Sequence, residues 1–221
     1  MISAEEAIQI HALLIQKLSP PLLLLALSSE AFGEGRRAAL DVSGNSKTRP
    51  TSDMTTTLDL RKVFGVIMTY NTNQAPNKPF EMEAKFEPGA KSGIHVHPEQ
   101  DEHYYITGGE MEVYLNGSWN KLRVGEEMHI PKGAEHAFRN SGGQQAIATN
   151  QHIPGLRTQE YYETMGRLIN EGKITGMTGL RNGIYLSLHA VKFADVVILH
   201  QPPDAFIKII AILGRLCGYK V

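Results

Sequence analysis

Cysteine is nearly missing from this sequence of 221 residues: Cys217, close to the C-terminus, is the only one. A single cysteine excludes an intrachain disulfide and also excludes a metal cluster built from several thiolates. This composition is common in proteins of reducing compartments. A cytoplasmic location is therefore expected.

The sequence also lacks an excess of charge of either sign. Its 22 lysine and arginine residues nearly balance 23 aspartate and glutamate residues, which gives a formal net charge of -1. Nucleic acids and anionic membrane surfaces attract strongly basic proteins, so neither nucleic acid nor a membrane is an expected partner. A small-molecule substrate or ligand is expected instead.

Long hydrophobic runs are missing as well. The run LLLLAL at residues 22–27 is far shorter than the roughly 20 apolar residues of a transmembrane helix. It follows Glu5 and Glu6, with Lys17 the one lysine or arginine before it, whereas a secretory signal has a basic segment directly before its apolar run. A cleaved N-terminal signal stays open as an alternative to a cytoplasmic location.

Composition divides the chain into three parts. Residues 1–53 contain a predicted amphipathic helix at 3–18 and a flexible linker at 33–53 that is rich in glycine, serine, arginine and threonine. Residues 54–155 have short alternating or β-branched runs between glycine, proline and asparagine turns, which is typical of an antiparallel barrel or sandwich. Residues 156–221 return to a helical period and predict a C-terminal helical extension.

Strands and helices can be placed within these parts. Asn116-Gly117 predicts a two-residue hairpin. Three apolar stripes in the extension, around Met165, Ala190 and Ile210, predict helices. The last of these is apolar on more than one side, so we expect burial against the barrel or a second subunit. The predicted strands are 64–70, 79–86, 93–97, 102–107, 111–115, 127–130, 136–139 and 145–152.

One segment of the predicted barrel concentrates metal-binding side chains: Gly89-x5-His95-x-His97-x4-Glu102-x6-Gly109. Side chains two residues apart on a strand share a face, so His95 and His97 point to one side. Glu102 can return to that side on the next strand.

A second segment, Gly125-x5-Pro131-x-Gly133-x2-His136-x3-Asn140, brings in another imidazole near the start of a strand. Three imidazoles and one carboxylate suit one divalent transition metal ion, such as Fe, Mn, Ni, Cu or Zn, with coordination positions left for water or substrate.

The two segments match both signature motifs of the cupin superfamily at every defining position. The short gap between them, residues 110–124, resembles that of small single-domain bacterial cupins. The resemblance covers roughly residues 58–154. It implies a mainly β fold, an antiparallel double-stranded β-helix or jelly-roll barrel, here flanked by an N-terminal helix and C-terminal helices. It also implies one metal ion held by His95, His97, Glu102 and His136.

Two carboxylates compete with Glu102. Glu99 and Asp101 are at the wrong distance from Gly109, and Asp101 points outward if Glu102 points inward. We expect both to be solvated turn residues.

Four further residues near the motifs carry a polar side chain. Tyr104 shares the inward face with Glu102, so it either offers a phenolic proton to a bound substrate, as a catalytic residue, or is a core aromatic. His103, His129 and His152 lie outside both motifs and are expected to be structural or at the surface. His152 is expected to come nearest to the cavity.

These residues support several functions. The leading hypothesis is a metal-dependent enzyme of the oxygenase type that acts on a small oxygenated organic molecule. A Lewis-acid isomerase or cyclase, which would use the same ligands, and a non-catalytic small-molecule-binding module remain open alternatives. Small cupins tend to pair their barrels, and the apolar last helix adds surface to bury, so a homodimer is expected.

Overall fold

The computed structural model describes residues 54–221. The predicted helix at 3–18, the apolar run at 22–27 and the linker at 33–53 lie outside the described residues. The described elements are, in chain order, β1 (Thr55–Asp59), α1 (Arg61–Phe64), β2 (Val66–Asn71), β3 (Phe80–Phe86), β4 (His95–Val96), β5 (Asp101–Gly108), β6 (Glu110–Leu115), β7 (Ser118–Arg123), β8 (Glu127–Ile130), β9 (His136–Arg139), β10 (Ala146–Ile153), α2 (Thr158–Asn170), α3 (Leu180–Lys192), β11 (Ile198–Leu199) and α4 (Asp204–Leu216).

The strands form two antiparallel sheets, in the orders β1-β2-β3-β10-β5-β8 and β11-β4-β9-β6-β7. Neighbours in the sheets are mostly distant in sequence, as expected of a jelly roll. Side chains from both sheets, for example Met82 and Val113, belong to one hydrophobic core. The predicted mainly β, antiparallel cupin-type barrel is confirmed.

Strand alternation directs side chains into this barrel. On β3, Phe80, Met82, Ala84 and Phe86 are buried and the residues between them are more exposed. On β5 the buried set includes Glu102, so a carboxylate lies among apolar neighbours. Because successive side chains alternate between the two faces of a strand, the polar site and the core share one interior.

Two tight turns depend on glycine, one within the first motif and one in the gap between the motifs. Gly109, between β5 and β6, has φ 65°, and a Cβ there would lie 2.5 Å from the Gln145 carbonyl oxygen. Asn116 and Gly117 both have positive φ between β6 and β7, which confirms the predicted hairpin.

The sequence-based assignment missed strands β1, β7 and β11. β1 and β7 are edge strands, and β7 (SWNKLR) buries only Leu122. β11 is two residues long. Exposed edges need few apolar residues, so the alternation signal is weak there. The predicted strand 64–70 was also wrong at its start, because Phe64 ends α1 and Gly65 turns the chain into β2.

The three helices of the extension are confirmed, but two details differ. The predicted apolar stripe around Ala190 continues through Phe193 and Val197, and these two residues lie beyond the end of α3 at Lys192. In α4, Ile207 and Ala211 are buried, so one side packs within the chain. The other apolar side is exposed, at Phe206, Ile209, Ile212, Leu213 and Leu216. Within residues 54–221, no helix is long and apolar enough to cross a membrane.

Candidate metal centre

His95, His97, Glu102 and His136 converge at one end of the barrel. β4 carries His95 and pairs with β9, so that His95 lies directly opposite His136. Glu102 comes from β5 in the other sheet. One potential ligand atom from each of the four residues lies within 4.8 Å of the others. The two motifs, which are separate in sequence, therefore form a single cluster.

Backbone carbonyls orient the three imidazoles. The Nδ1 atoms of His95, His97 and His136 lie 2.8, 2.7 and 2.8 Å from the carbonyl oxygens of Gly93, Val196 and Ala134. A carbonyl can only accept, so each Nδ1 is the donor, and in the neutral imidazole Nε2 then keeps its lone pair. This arrangement is typical of histidines that bind a metal through Nε2.

The inward atoms of the cluster are short of hydrogen-bond partners. Nε2 of His97, Nε2 of His136 and Oε2 of Glu102 are buried, and none makes a hydrogen bond. His136 Nε2 lies 2.9 Å from Glu102 Oε2, and His97 Nε2 lies 3.7 Å from it. Buried polar atoms are rarely left without a partner, and a cation among them would satisfy all three.

Electrostatics hold His95 and Glu102 in forms that can bind a cation. Burial, reinforced by His136 and His97, lowers the pKa of His95 to about 3, so this imidazole is neutral near pH 7. Burial alone would raise the pKa of Glu102. The neighbouring histidines, His136 first, outweigh it and hold that pKa well below its ordinary value. A neutral imidazole and an ionised carboxylate are the forms that coordinate metals. Burial would lower the pKa of His136, but the Glu102 carboxylate outweighs it and raises that pKa, so a cation would have to displace a proton there.

The donor set fits one divalent transition metal ion. Nitrogen and carboxylate ligands bind such ions at about 2.0–2.2 Å, so opposite ligands lie up to about 4.4 Å apart. The observed spread of 4.8 Å therefore needs only a small contraction.

Comparison with known proteins agrees with this geometry. The sequence profile of the family described as "Cupin domain" matches residues 82–150, which contain all four cluster residues. The barrel is a cupin domain.

Curated relatives match parts of the chain. Protein SchB of Streptomyces halstedii is 40% identical over 85 residues, 35% of this chain and 62% of the relative. The polyketide synthase CurC of Streptomyces cyaneus is 37% identical over 59 residues, 27% of this chain. The chain thus spans 62% and 38% of the lengths of these two relatives.

Solved structures also resemble the cupin domain. KdgF from Halomonas sp. is 21% identical with a TM-score of 0.40, over 45% of this chain and 86% of that one. A predicted oxalate decarboxylase from Thermotoga maritima is 24% identical with a TM-score of 0.40, over 48% of this chain and 96% of that one.

The competing carboxylates lie outside the cluster. Asp101 accepts a hydrogen bond from the Lys132 amide at 2.8 Å and lies 3.2 Å from His129 Nε2. Glu99 is exposed. His103 lies 3.6 Å from the carboxylate of Glu127. Strand parity separates Asp101 and His103 from Glu102, which lies between them on β5 and points inward.

Tyr104 and His152 flank Glu102 inside the cupin domain. Tyr104 is buried beside Phe86, and burial, helped by the Glu102 charge, raises the pKa of its phenol well above the ordinary value. His152 lies opposite Glu102 on β10, with Nε2 3.7 Å from Glu102 Oε1. Of His103, His129 and His152, it is thus His152 that comes nearest to the metal centre, as predicted.

Two amide side chains brace Glu102. Asn150 on β10 donates from Nδ2 to Glu102 Oε1 at 2.8 Å. Gln100, two residues before Glu102, donates from Nε2 to the Pro154 carbonyl at 2.7 Å and to Thr158 Oγ1 at 2.8 Å. The start of α2 is thereby tied to the strand that carries Glu102. No motif pointed to either amide.

The helical extension also supplies groups that sequence reasoning missed. Val196, which follows α3, provides the carbonyl that orients His97. β11 pairs with β4, and Leu199 lies opposite His95. Tyr161 and Tyr162 on α2 line a small cavity together with His95 and His97. The adjacent pair of tyrosines just after the barrel is the one sequence signal that could have suggested this.

Proposed function

We propose that the cupin domain binds one divalent transition metal ion through His95, His97, Glu102 and His136, and that the protein is a metal-dependent enzyme. The substrate is a small oxygenated organic molecule, and the leading reaction is of the oxygenase type.

One observation carries the proposal. Three imidazoles have Nδ1 held by carbonyls, and the Nε2 atoms of His97 and His136 face the Glu102 carboxylate without hydrogen-bond partners. A structural histidine would instead use its second nitrogen in a hydrogen bond. Four protein ligands leave room in an octahedral shell for substrate oxygens.

The bound metal would supply redox chemistry if it is Fe, Cu or Ni, and Lewis-acid polarisation if it is Zn or Mn. The chain's own residues do the remaining work. Asn150 holds one carboxylate oxygen of Glu102, which leaves the other free to coordinate. Tyr104 keeps its proton because its pKa is raised, so it can donate a hydrogen bond and position a group at the site.

A second candidate is a Lewis-acid isomerase or cyclase. The relative CurC is named a polyketide synthase, and polyketide chains carry repeated β-carbonyl groups. Two such oxygens can bind one metal ion, which polarises the carbonyls for enolisation and ring closure. A β-diketone is therefore an informative substrate to test for both candidate reactions.

The test begins with metal content. Protein purified without a metal-affinity column is analysed for its elements, and one ion per chain is expected. The protein is then loaded separately with Fe(II), Mn(II), Ni(II), Cu(II) or Zn(II) and mixed with catechols, flavonols or β-diketones. Oxygen consumption and product masses are followed.

The outcomes separate the candidates. Oxygen uptake with a redox metal supports the oxygenase, whereas a rearranged or cyclised product of unchanged elemental composition supports the Lewis-acid enzyme. Tight ligand binding without any product favours the non-catalytic module. If no metal ion binds, both enzyme candidates fail.

The homodimer, the cytoplasmic location and the cleaved signal that is its alternative stay predictions. So do a small-molecule partner and the exclusion of nucleic acid and membrane partners. The exposed apolar side of α4, with Ile209 and Leu216, is the surface on which the dimer prediction depends.

A further inference from the structure

The helical extension encloses an apolar chamber of about 370 Å³ beside the cupin domain. Its walls come mainly from α2, α3 and α4, with Met165, Leu186 and Ile210 among them. Cavities of roughly 300–1,000 Å³ are the size that holds drug-sized ligands. The chamber is therefore large for a packing defect.

The chamber borders the metal centre. A smaller cavity of about 60 Å³ is lined by His95 and His97. Both cavities share Tyr161, Val197 and Leu199 in their walls. Leu180 and Phe206 also line the chamber and are about half exposed, so the chamber is open to solvent. Of the two adjacent cavities, one therefore opens to solvent and the other contacts two of the proposed metal ligands.

The chamber offers almost nothing to a polar ligand. None of the residues that line it within 54–221 is Asp, Glu, Lys or Arg. His189 is in its wall, but burial lowers the pKa of this imidazole to about 4, and its Nε2 lies 3.0 Å from the Tyr161 carbonyl. The ring is neutral near pH 7, and that nitrogen is already paired. Mostly apolar walls of this kind favour apolar ligands, because binding removes apolar surface from water.

We propose that the chamber holds the apolar body of the substrate, an acyl chain or a hydrophobic ring system, whose oxygenated end reaches the metal centre. This inference rests on the proposed function, because the metal centre fixes the polar end. The substrate class is thus an amphiphile with one chelating end, not a small sugar or a free dicarboxylate.

Two hydroxamates test this on the full chain loaded with Co(II). Acetohydroxamate and octanohydroxamate chelate a metal ion identically and differ only in the length of the methylene chain. Each methylene moved from water into an apolar site gains up to about fourfold in affinity. Calorimetry should show octanohydroxamate binding at least about 50-fold more tightly. Both should change the visible absorption of Co(II).

A substitution that fills the chamber provides a second test. Gly183 lies in α3 and lines the chamber, and a Cβ there would meet nothing within 4 Å. Gly183→Phe should weaken octanohydroxamate binding at least about tenfold and leave acetohydroxamate within about twofold. Arg181→Phe adds the same ring to the same helix outside the chamber, and both affinities should stay within about twofold of the unmodified protein.

The proposal is overturned if the two hydroxamates bind equally well, or if Gly183→Phe weakens neither. Equal binding is also the expected result if the apolar run at residues 22–27 occupies the chamber. Binding of 1-octanol to the metal-free protein distinguishes failure of the metal site from failure of the apolar chamber. If Co(II) does not bind but octanol does, and if Gly183→Phe weakens octanol binding, the proposed function fails and the apolar site stands. If neither Co(II) nor octanol binds, both the proposed function and the proposed chamber are overturned.

Discussion

The cupin domain and the helical extension meet at the same site but contribute to it differently. In the barrel, His95 and His136 are each oriented by a carbonyl two residues earlier in the chain, from Gly93 and Ala134. In the extension, the carbonyl of Val196 orients His97 from 99 residues away. The first kind of contact is set by local chain geometry, whereas the second exists only after the extension has docked.

The two regions therefore have different expected roles: the barrel binds the metal, and the extension selects the ligand. The barrel supplies all four proposed ligands, and the extension supplies the walls of the chamber. Changes in the barrel should therefore act on metal affinity. Changes in the extension should act on stability and on which ligand fits, with at most an effect of about 10–100-fold on metal affinity through the bond to His97.

The largest effect is expected from Glu102→Ala. It removes the single carboxylate of the cluster, so the affinity for Co(II) or Zn(II) should fall at least about 100-fold, about 2.7 kcal/mol. Calorimetric metal titration measures this. Asp101→Ala is the matched control, because that neighbour bonds to Lys132 and not to the cluster. If both variants lose the same affinity, the assignment of ligands by strand parity is wrong.

Sequence reasoning predicted the features that depend on local chain geometry. Residue parity on a strand was enough to choose Glu102 over Asp101, and the Asn116-Gly117 hairpin and the three C-terminal helices were predictable from turn chemistry and period. Val196 and Gln100 were not predictable, because their roles depend on how the extension packs against the barrel. The edge strand β7 was missed because it buries only one side chain.

A smaller effect is expected inside the extension, from Gly214→Ala. A Cβ at Gly214 in α4 would lie 2.6 Å from Ile184 Cγ2 in α3. Overpacking costs about 1–3 kcal/mol and the gain in helix propensity returns about 1 kcal/mol, so the variant should lose up to about 2 kcal/mol of unfolding free energy. Urea unfolding measures this.

The same variant checks the division between the two regions. Its metal affinity should stay within about tenfold of the unmodified protein, because no ligand is touched. A loss as large as that of Glu102→Ala would show that the extension holds the metal centre together, and the two regions could no longer be treated as separate.

An ion pair in the barrel should give a smaller effect, one that depends on pH. The Arg139 guanidinium, and then the Ser141 hydroxyl, lower the pKa of Glu112 to about 2. A carboxyl whose pKa is lower in the folded state stabilises the fold above its unfolded pKa of about 4.3, and this stabilisation is lost as the pH falls towards 2. Glu112→Gln should therefore destabilise at pH 7 and by half as much or less at about pH 3.

Unfolding in urea at the two pH values measures this difference. Glu110→Gln is a suitable control, because its pair with Lys121 is exposed to solvent and should contribute little to stability. A deficit in Glu112→Gln that does not shrink with acid would mean that its carboxylate charge is not what stabilises β6 against β9. The metal affinity should not change in either variant.

The smallest effect has the opposite sign and comes from Gly183→Ala. Like Gly214, Gly183 is in a helix of the extension, but a Cβ at Gly183 would meet nothing within 4 Å. Alanine restricts the unfolded chain and favours the helix, so the variant should gain about 0.5–1 kcal/mol in unfolding free energy. A methyl group is too small to fill a chamber of about 370 Å³, so octanohydroxamate should bind within about twofold of the unmodified protein. If Gly183→Ala destabilised as Gly214→Ala does, the space beside α3 would be packed and not open, and the extension would resemble the barrel core and not a binding chamber.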